Sequence, residues 1–308
     1  MTHFFETLFY RPGWYHWIIA VLLLPLSLLN GIVMWIRRKL ARRKIYPVPI
    51  VSVGNLVIGG SGKTPFVIAL AKHFSDRHIA IVSRGYGRQS SGLVEVSRRG
   101  KILVDVIQSG DEAMLMTLKS PDASVIVSEK RGVAIEKAIA QGAELILLDD
   151  GFNRVEIEKF EILLEPEKLP NKLPLPSGPY REFVWSSTEA NLILSENKGF
   201  KRGVRYQNIK ERMLLVTAIA NPSRLDIYLP EGVVGKVYLE DHAYFEVEKL
   251  KALLAAYDVQ SLLVTEKDWV KMRDFDLPLS LMILELELNE GIIRQIEAYI
   301  RKNSESKN

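Results

Sequence analysis

A glycine-rich loop that ends in a lysine and a threonine is the strongest chemical signal in this sequence of 308 residues. Its members are Gly59, Gly60, Ser61, Gly62, Lys63 and Thr64. Glycines let successive backbone N–H groups turn toward phosphate oxygens, and the N-terminus of a following helix adds positive partial charge. In such loops the lysine contacts the β- and γ-phosphates and the hydroxyl ligates Mg²⁺. The pattern therefore predicts that the chain binds a nucleoside triphosphate.

The flanking sequence supports this prediction and contains one departure from the general motif. The apolar run Ile50–Val53 predicts a strand before the loop, and Pro65 suits the first turn of a helix after it. The general motif has glycine where this chain has Val57. A structural glycine turn is the alternative, but Gly-Lys-Thr between a strand and a helix favours phosphate binding.

Two adjacent carboxylates, Asp149 and Asp150, follow the fully apolar run Leu145–Leu148. In phosphate-loop enzymes a carboxylate at the end of such a strand holds Mg²⁺, directly or through water. Neighbouring carboxylates repel each other in the absence of a cation. We therefore predict a metal site, with a helix N-cap as the alternative because aspartate is favoured there.

Four more residues are candidates for contacting or deprotonating an acceptor. Asp111 precedes an apolar helical segment and could act as a base, although alone it is typical of an N-cap. His242 follows two acidic residues and alone is typical of a structural histidine. Arg84 and Tyr86 lie in a glycine-rich segment after a predicted strand, where they could bind phosphate or stack on a sugar.

Apolar segments with strand and helix periods alternate along most of the chain. The predicted strands are Ile50–Val53, Ile79–Ser83, Val125–Val127, Leu145–Leu148, Leu192–Leu194, Val204–Tyr206, Met213–Thr217, Leu262–Thr265 and Leu281–Leu286. Fully apolar strands separated by helices indicate a parallel sheet covered on both faces, and ligands bind beyond its carboxyl ends. Five prolines in Glu165–Arg181 predict an ordered loop there.

These patterns predict an α/β fold with a P-loop NTPase-like parallel sheet flanked by helices. We expect an N-terminal membrane helix with a basic cluster in residues 1–45, a kinase core in residues 46–210 and a second, smaller α/β domain in residues 211–308. The sequence contains no cysteine, which excludes disulfides and thiolate chemistry.

The segment Trp17–Ile36 carries no formal charge, and twenty helical residues reach about 30 Å, the thickness of a bilayer core. Six positive charges follow within residues 37–44. Without them the formal net charge of +4 becomes −2, which argues against a nucleic-acid surface. We predict membrane association through residues 14–44, either as a spanning helix with the rest of the chain in the cytoplasm or as a helix lying in the interface. A buried core helix is the alternative.

Taken together, these segments resemble the tetraacyldisaccharide 4'-kinase family, which acts in the lipid A pathway of Gram-negative bacteria. The matching stretches, in family order, are Val53–Leu56, Gly59–Pro65, Ser83–Gly87, Gly110–Glu112, Asp149–Phe152, Pro176–Glu182, Ile219–Pro222, Asp241–His242 and Thr265–Asp268. The loop with Val57 matches the variant of this family.

The resemblance implies transfer of the γ-phosphate of ATP to the 4'-hydroxyl of an acylated glucosamine disaccharide 1-phosphate. We also expect the chain to act at the inner membrane surface, as a monomer and without nucleic acid. The resemblance implies that Asp111 is the general base, paired with His242 across two domains that close on nucleotide binding, while Lys63 contacts ATP. It places Thr64, Asp149, Asp150 and Glu182 at positions associated with Mg²⁺. It places Arg84, Tyr86 and Arg181 near the phosphate and sugar of the substrate.

Two departures from the family pattern limit which residue roles can be assigned to this chain from the family. Asn153 and Arg154 stand where the family usually has Gln-His, and Ala243 stands where a second histidine is common.

Two other functions remain as rivals. A GTPase switch would need a guanine motif, which Thr265–Asp268 has only in the wrong order, and a non-catalytic or energising ATPase subunit would not phosphorylate lipid.

Overall fold

The computed structural model describes residues 2–59 and 62–305. Two compact units are present, each assembled from separate stretches of the chain. The first comprises Met1–Lys63, Glu144–Lys201 and Leu288–Asn308, and the second comprises Thr64–Ala143 and Arg202–Glu287. The sequence analysis instead predicts a single domain boundary near residue 210, with each domain a continuous segment of the chain. That boundary stays a prediction.

The first unit has a parallel sheet and three helices. Its elements are α1 (Thr2–Tyr10), α2 (Trp14–Leu40), β1 (Ile50–Gly54), β6 (Leu145–Asp149), β7 (Phe160–Leu164), β8 (Leu192–Glu196) and α9 (Glu290–Glu305), with a 3₁₀ helix at Val184–Glu189. The strand order is β8-β7-β1-β6, and all three pairings are parallel. Strands β1, β6 and β7 are buried along their whole length, as expected for a sheet covered on both faces.

The second unit contains all or most of each of the remaining elements. They are α3 (Lys63–His73), β2 (Ile79–Ser83), β3 (Val94–Arg98), β4 (Lys101–Ile102), α4 (Val106–Ser109), α5 (Asp111–Lys119), β5 (Ser124–Val127), α6 (Arg131–Ala140), β9 (Gly199–Gln207), β10 (Met213–Thr217), β11 (Val233–Tyr238), α7 (Val247–Ala256), β12 (Ser261–Thr265), α8 (Glu266–Met272) and β13 (Leu279–Leu288), with a 3₁₀ helix at Pro222–Tyr228. Strands β2 and β5 are parallel, while β3 pairs with β5 and β4 in antiparallel fashion. Strands β11, β10, β12 and β13 form a parallel series.

The α/β class and the predicted strands are confirmed, and so is the ordered loop rich in proline. No helix or strand element lies between Leu164 and Val184. That stretch is nevertheless tied to the first unit, because Tyr180 forms a bridge with Val57 and is almost fully buried. The antiparallel edge formed by β3 and β4 was not predicted, since both strands are short and polar and carry little hydrophobic pattern.

Helix α2 packs on this loop along one narrow stripe. Its buried residues are His16, Ala20, Ser27, Gly31 and Arg38. Most of its large apolar side chains are exposed, including Leu22 at 74% and Leu29 at 59%. Among the described residues, α2 is the helix that is long and apolar enough to cross a membrane, a criterion of length and composition alone.

Candidate active site

The glycine-rich loop follows β1, and α3 begins at Lys63. Gly59 and Gly62 have positive φ angles of 99° and 82°, a backbone region that favours glycine. Gly60 and Ser61, which were predicted to contact phosphate, lie outside the described residues. Parallel pairing places Val53 of β1 beside Asp149 of β6. The loop and the acidic pair therefore leave the same edge of the sheet.

The structure explains why valine replaces the usual glycine at position 57. Val57 is 4% exposed and packs in a cluster with Leu56 and Phe152. It forms an antiparallel bridge with Tyr180, and the N–H of Ile58 donates to the carbonyl of Pro179 at 3.0 Å. Extended backbone in a core favours a β-branched apolar residue over glycine. The loop is thus anchored by strand-like pairing before its first described glycine.

Lys63 reaches the acidic pair. Its Nζ donates to Oδ1 of Asn55 at 3.0 Å and lies 3.5 Å from Oδ1 of Asp150. Asn55 is itself fixed, because it is buried and its Nδ2 donates to the carbonyl of Val57 at 2.7 Å. Nη1 of Arg181 approaches the two carboxylate oxygens of Asp150 at 3.3 and 3.4 Å. The lysine of the phosphate loop and a residue of the predicted metal set are therefore neighbours.

The two aspartates differ in their environment. Asp149 is the last residue of β6 and is 3% exposed, whereas Asp150 is partly exposed and has a left-handed φ of 53°. The N-cap alternative is wrong, because no helix begins in the fully described stretch from residue 150 to residue 183. The turn that follows is tight: a Cβ on Gly151 would lie 2.4 Å from Oγ of Ser52. Asn153 and Arg154 lie in this turn, where the carbonyl of Asn153 accepts from Arg37 at 3.1 Å.

The structure does not support Glu182 as a metal ligand. Both of its carboxylate oxygens accept hydrogen bonds from Arg38 of α2, at 2.9 and 3.0 Å, and Glu182 is 1% exposed. The Arg38 guanidinium also lies 4.5 Å from the centre of the Phe152 ring. A buried carboxylate with both oxygens on one arginine is already neutralised. Glu182 therefore holds α2 against the loop, and its assignment to the Mg²⁺ set stays a prediction.

Asp111 and His242, 131 positions apart, meet in the second unit. Nδ1 of His242 lies 3.0 Å from both carboxylate oxygens of Asp111. Asp111 is 4% exposed and is the first residue of α5, so it is not the N-cap, although its Oδ1 accepts from the N–H of Glu112 at 2.8 Å. His242 has a left-handed φ of 61°. A shielded carboxylate oriented by an imidazole is suited to accept a proton.

Two lysines of α8 flank this pair, and sequence reasoning missed both. Nζ of Lys267 lies 3.4 Å from Nε2 of His242, and Nζ of Lys271 lies 3.5 Å from Oδ2 of Asp111. Burial alone would raise the pKa of Asp111. The hydrogen bond from His242 and the nearby lysine charges outweigh burial and hold that pKa below its usual value. The carboxylate is therefore charged at neutral pH.

The loop that carries Arg84 and Tyr86 packs on the same pair. The ring of Tyr86 lies 4.8 Å from that of His242, centre to centre, and Tyr86 is 62% exposed. Gly110 has a φ of 84°, and a Cβ there would lie 2.6 Å from the carbonyl oxygen of Tyr86. Glycine at this position thus lets the Tyr86 loop approach the start of α5. Arg84 is exposed in the same loop.

Comparison with known proteins shows the family of this chain. The family model described as LpxK, tetraacyldisaccharide-1-P 4'-kinase, matches residues 19–303. This chain belongs to the tetraacyldisaccharide 4'-kinase family. It is therefore an enzyme of the kinase class, and the expected family is confirmed.

Relatives of this kinase match it over nearly their whole length. The tetraacyldisaccharide 4'-kinase of Helicobacter pylori strain J99 is 46% identical over 299 residues, which cover 96% of this chain and 95% of the relative. The enzyme of Aliarcobacter butzleri is 42% identical, with 93% of each chain covered. A crystal structure of LpxK from Aquifex aeolicus in complex with ATP matches with a TM-score of 0.77 and 26% identity, and covers 92% of this chain and 99% of that chain.

The segment Thr265–Asp268, which was compared with a guanine motif, has a structural role in this kinase. Thr265 caps α8, and Asp268 is fully buried. The Asp268 carboxylate accepts from the hydroxyl of Thr217 at 2.6 Å and from the N–H of Ala218 at 3.0 Å. Its oxygens are thus engaged within the protein, and Asp268 is not placed to read a guanine base.

Proposed function

We propose that this chain transfers the γ-phosphate of ATP to the 4'-hydroxyl of tetraacyldisaccharide 1-phosphate, a lipid A precursor. The observation that carries the proposal is the contact of 3.5 Å between Lys63 and Asp150, where the phosphate loop meets the acidic pair. Family membership supports the choice of acceptor, and this contact supports binding of the triphosphate at the same strand ends.

We propose that Lys63 and the backbone N–H groups of the loop bind the β- and γ-phosphates. The ammonium at the strand ends offsets negative charge that develops during transfer, which is the main requirement of phosphoryl transfer. Exposed Arg84 and Tyr86 are proposed to contact the disaccharide. Arg181 is proposed to do so as well, although its guanidinium also lies on Asp150.

The acidic pair fits Mg²⁺ by the chemistry of its donors. Asp149 and Asp150 offer hard carboxylate oxygens, and Thr64 offers a hydroxyl. Among the described residues, no group of three or more histidine or acidic side chains is arranged so that it could hold a metal ion by itself. Mg²⁺ suits such a sparse protein set, because it keeps waters and takes phosphate oxygens. When bound, it would neutralise phosphate charge, and Glu182 is left out of the set.

In the proposed reaction, Asp111 accepts the proton of the 4'-hydroxyl while that oxygen forms a bond to the γ-phosphorus. The bond between the γ-phosphorus and the β–γ bridging oxygen breaks, and ADP leaves with the electron pair. His242 orients Asp111 through Nδ1. General-base assistance of this kind contributes about 10²–10⁴-fold to the rate.

The test is direct detection of the product. Purified full-length protein is incubated with γ-labelled ATP and the disaccharide lipid, and the lipid is separated by thin-layer chromatography. We expect labelled lipid, and for Asp111→Asn a kcat lower by about 10²–10⁴-fold with ATP binding retained. Hydrolysis of ATP without labelled lipid would favour the ATPase rival. Full activity of Asp111→Asn would remove Asp111 as the base.

We also propose that the enzyme works as a monomer at the cytoplasmic face of the inner membrane. The exposed apolar surface of α2 and the basic residues that follow it support a membrane site.

A further inference from the structure

We propose that Lys267 is a positioning residue for the Asp111–His242 pair: its ammonium holds His242 as a neutral imidazole that donates to Asp111 from Nδ1. This inference rests on the proposed function, because it takes Asp111 as the base. It assigns to the second unit a residue that neither the sequence patterns nor the family resemblance singled out for this role.

The distances around the ring decide which nitrogen carries the proton. Nδ1 of His242 lies 3.0 Å from each oxygen of Asp111, so it is the nitrogen that donates. Nε2 faces Nζ of Lys267 at 3.4 Å. A lysine ammonium has only protons to donate, so it is compatible with Nε2 only when Nε2 bears a lone pair. These contacts together select the neutral Nδ1–H tautomer.

One carboxylate acts in the opposite sense. Oδ2 of Asp241 lies 3.5 Å from Nε2 and would favour a proton there. Lys267 counters it, because Nζ lies 3.5 Å from Oδ1 of Asp241 and 3.4 Å from Oε1 of Glu112. A doubly protonated ring would also place two cations 3.4 Å apart.

Lys267 is well suited to this role because it keeps its own charge. Burial alone would lower its pKa, but Glu112, Asp111 and Asp241 outweigh burial and raise that pKa. The ionisable groups that surround the pair come from every neighbouring element. They are Tyr86, Asp105, Glu112, Asp241, Tyr244, Lys267, Asp268 and Lys271.

Removal of the Lys267 charge changes the proton affinity of the Asp111–His242 pair in a definite direction. The pair gains proton affinity, since a cation is lost while Glu112 and Asp241 remain. In the variant the pair therefore takes up a proton at higher pH, and that proton converts the active carboxylate–imidazole form into an inactive one. The acid limb of the pH profile moves upward, and the apparent value belongs to the pair and not to either residue alone.

The experiment compares Lys267→Met with Lys267→Arg and with Lys119→Met. Lys119 is a matched control, because its side chain is 22% exposed against 18% for Lys267 and it bonds Glu266 of the same helix α8. Full-length enzymes are assayed for kcat/KM with ATP and the disaccharide lipid between about pH 5 and pH 9. The imidazole nitrogens are observed by ¹⁵N NMR, with the His242 signals assigned by their absence in His242→Gln.

We expect the acid limb of Lys267→Met to move up by about one pH unit or more, as loss of one neighbouring charge does. Lys267→Arg should stay close to the wild-type profile, and Lys119→Met should match it. The His242 nitrogens should show the neutral Nδ1–H pattern in the wild-type enzyme, and in Lys267→Met the doubly protonated pattern should persist to higher pH than in the wild-type enzyme. If Lys267→Met turns over too slowly for a full pH profile of kcat/KM, the NMR comparison alone tests the inference.

An unshifted acid limb with an unchanged His242 spectrum in Lys267→Met would overturn the inference. That result would leave the proposed function intact, provided that Asp111→Asn still loses rate. Conversely, full activity of Asp111→Asn would defeat the assignment of the base, whatever Lys267→Met does. The two failures are therefore distinguishable.

Discussion

Two residues of the candidate site, Asp150 and His242, adopt left-handed backbone conformations that are uncommon outside glycine. Each is held there by polar contacts. Asp150 lies between Lys63 and Arg181, and the N–H of His242 donates to the carbonyl of Ala218 at 3.0 Å while its ring contacts Asp111. Such conformations cost about 1–3 kcal/mol and persist where the surroundings enforce them. The geometry thus presents both side chains in fixed directions.

Lys63 is the residue on which nucleotide binding depends most. We expect Lys63→Ala to lower kcat by at least about 10²–10³-fold, the loss typical of removing one group that stabilises transition-state charge. Turnover of γ-labelled ATP into lipid measures this loss. Lys72→Ala is the matched control, because Lys72 is an exposed lysine of the same helix α3.

The fold of the Lys63→Ala variant should be retained. The lost contacts are a hydrogen bond to Asn55 and an ion pair with partly exposed Asp150, and an ion pair with an exposed partner contributes little to stability. Circular dichroism and thermal melting test this point. Turnover that equals wild type would mean that Lys63 does not contact the transferred phosphate.

At the scale of single residues, the sequence could predict the roles of residues that belong to a contiguous motif, and the roles of few others. Lys63 is recognisable because its loop, strand and helix are contiguous. The pairing of Asp111 with His242 required the family resemblance, because no local pattern links residues 131 positions apart. Lys267 lay within Thr265–Asp268, a segment that matched the family but suggested no role for the lysine, because that role depends on tertiary packing of α8 against α5.

At the scale of the element, α2 is the part whose sequence was hardest to interpret. Ser27, Asn30 and Gly31 are small or polar residues within an apolar segment, and they lie where the helix contacts the proline-rich loop. The Ser27 hydroxyl bonds Oγ of Ser177 at 2.7 Å, and Nδ2 of Asn30 donates to the carbonyl of Arg181 at 3.4 Å. Small and polar residues three or four apart mark the face that contacts protein. That spacing was available in the sequence.

Gly31 sets how closely α2 approaches the loop. A Cβ at this position would lie 2.4 to 2.7 Å from three atoms of the Phe183 ring, and that ring stacks on Trp185. We expect Gly31→Leu to lower the free energy of unfolding by about 1–3 kcal/mol, as overpacking of a close contact does. Urea unfolding in detergent, followed by tryptophan fluorescence, measures the change.

Val33→Leu is the control for this prediction, since Val33 is 54% exposed on the same helix and has room for the larger side chain. The Gly31 variant should also lose some activity. The loop that would move carries Arg181, whose N–H donates to the carbonyl of Leu56 at 2.8 Å and whose guanidinium contacts Asp150. Equal free energies of unfolding for Gly31→Leu and Val33→Leu would show that α2 can move away from the loop without loss of stability.

At the scale of the whole molecule, the contacts of α2 bear on how the enzyme meets a membrane. From Ala20 to Arg38 the helix touches the proline-rich loop, a distance of about 27 Å along the helix axis. If α2 crossed a bilayer, this polar loop and the pair of Arg38 with Glu182 would lie at the depth of the hydrocarbon. Burial of such groups in lipid is costly. We therefore propose that α2 lies in the interface with its exposed apolar face toward the acyl chains.

The absence of cysteine from the chain makes this orientation testable with single introduced thiols. Arg11→Cys and Arg42→Cys place exposed thiols on either side of α2, and Lys251→Cys is a control on α7. Inverted inner-membrane vesicles are treated with an impermeant maleimide. If α2 lies in the interface, all three thiols are labelled without detergent, because both ends of the helix remain on the cytoplasmic face. If α2 spans the membrane, the thiol at position 11 is protected until detergent is added while the other two react, and the interfacial arrangement is excluded.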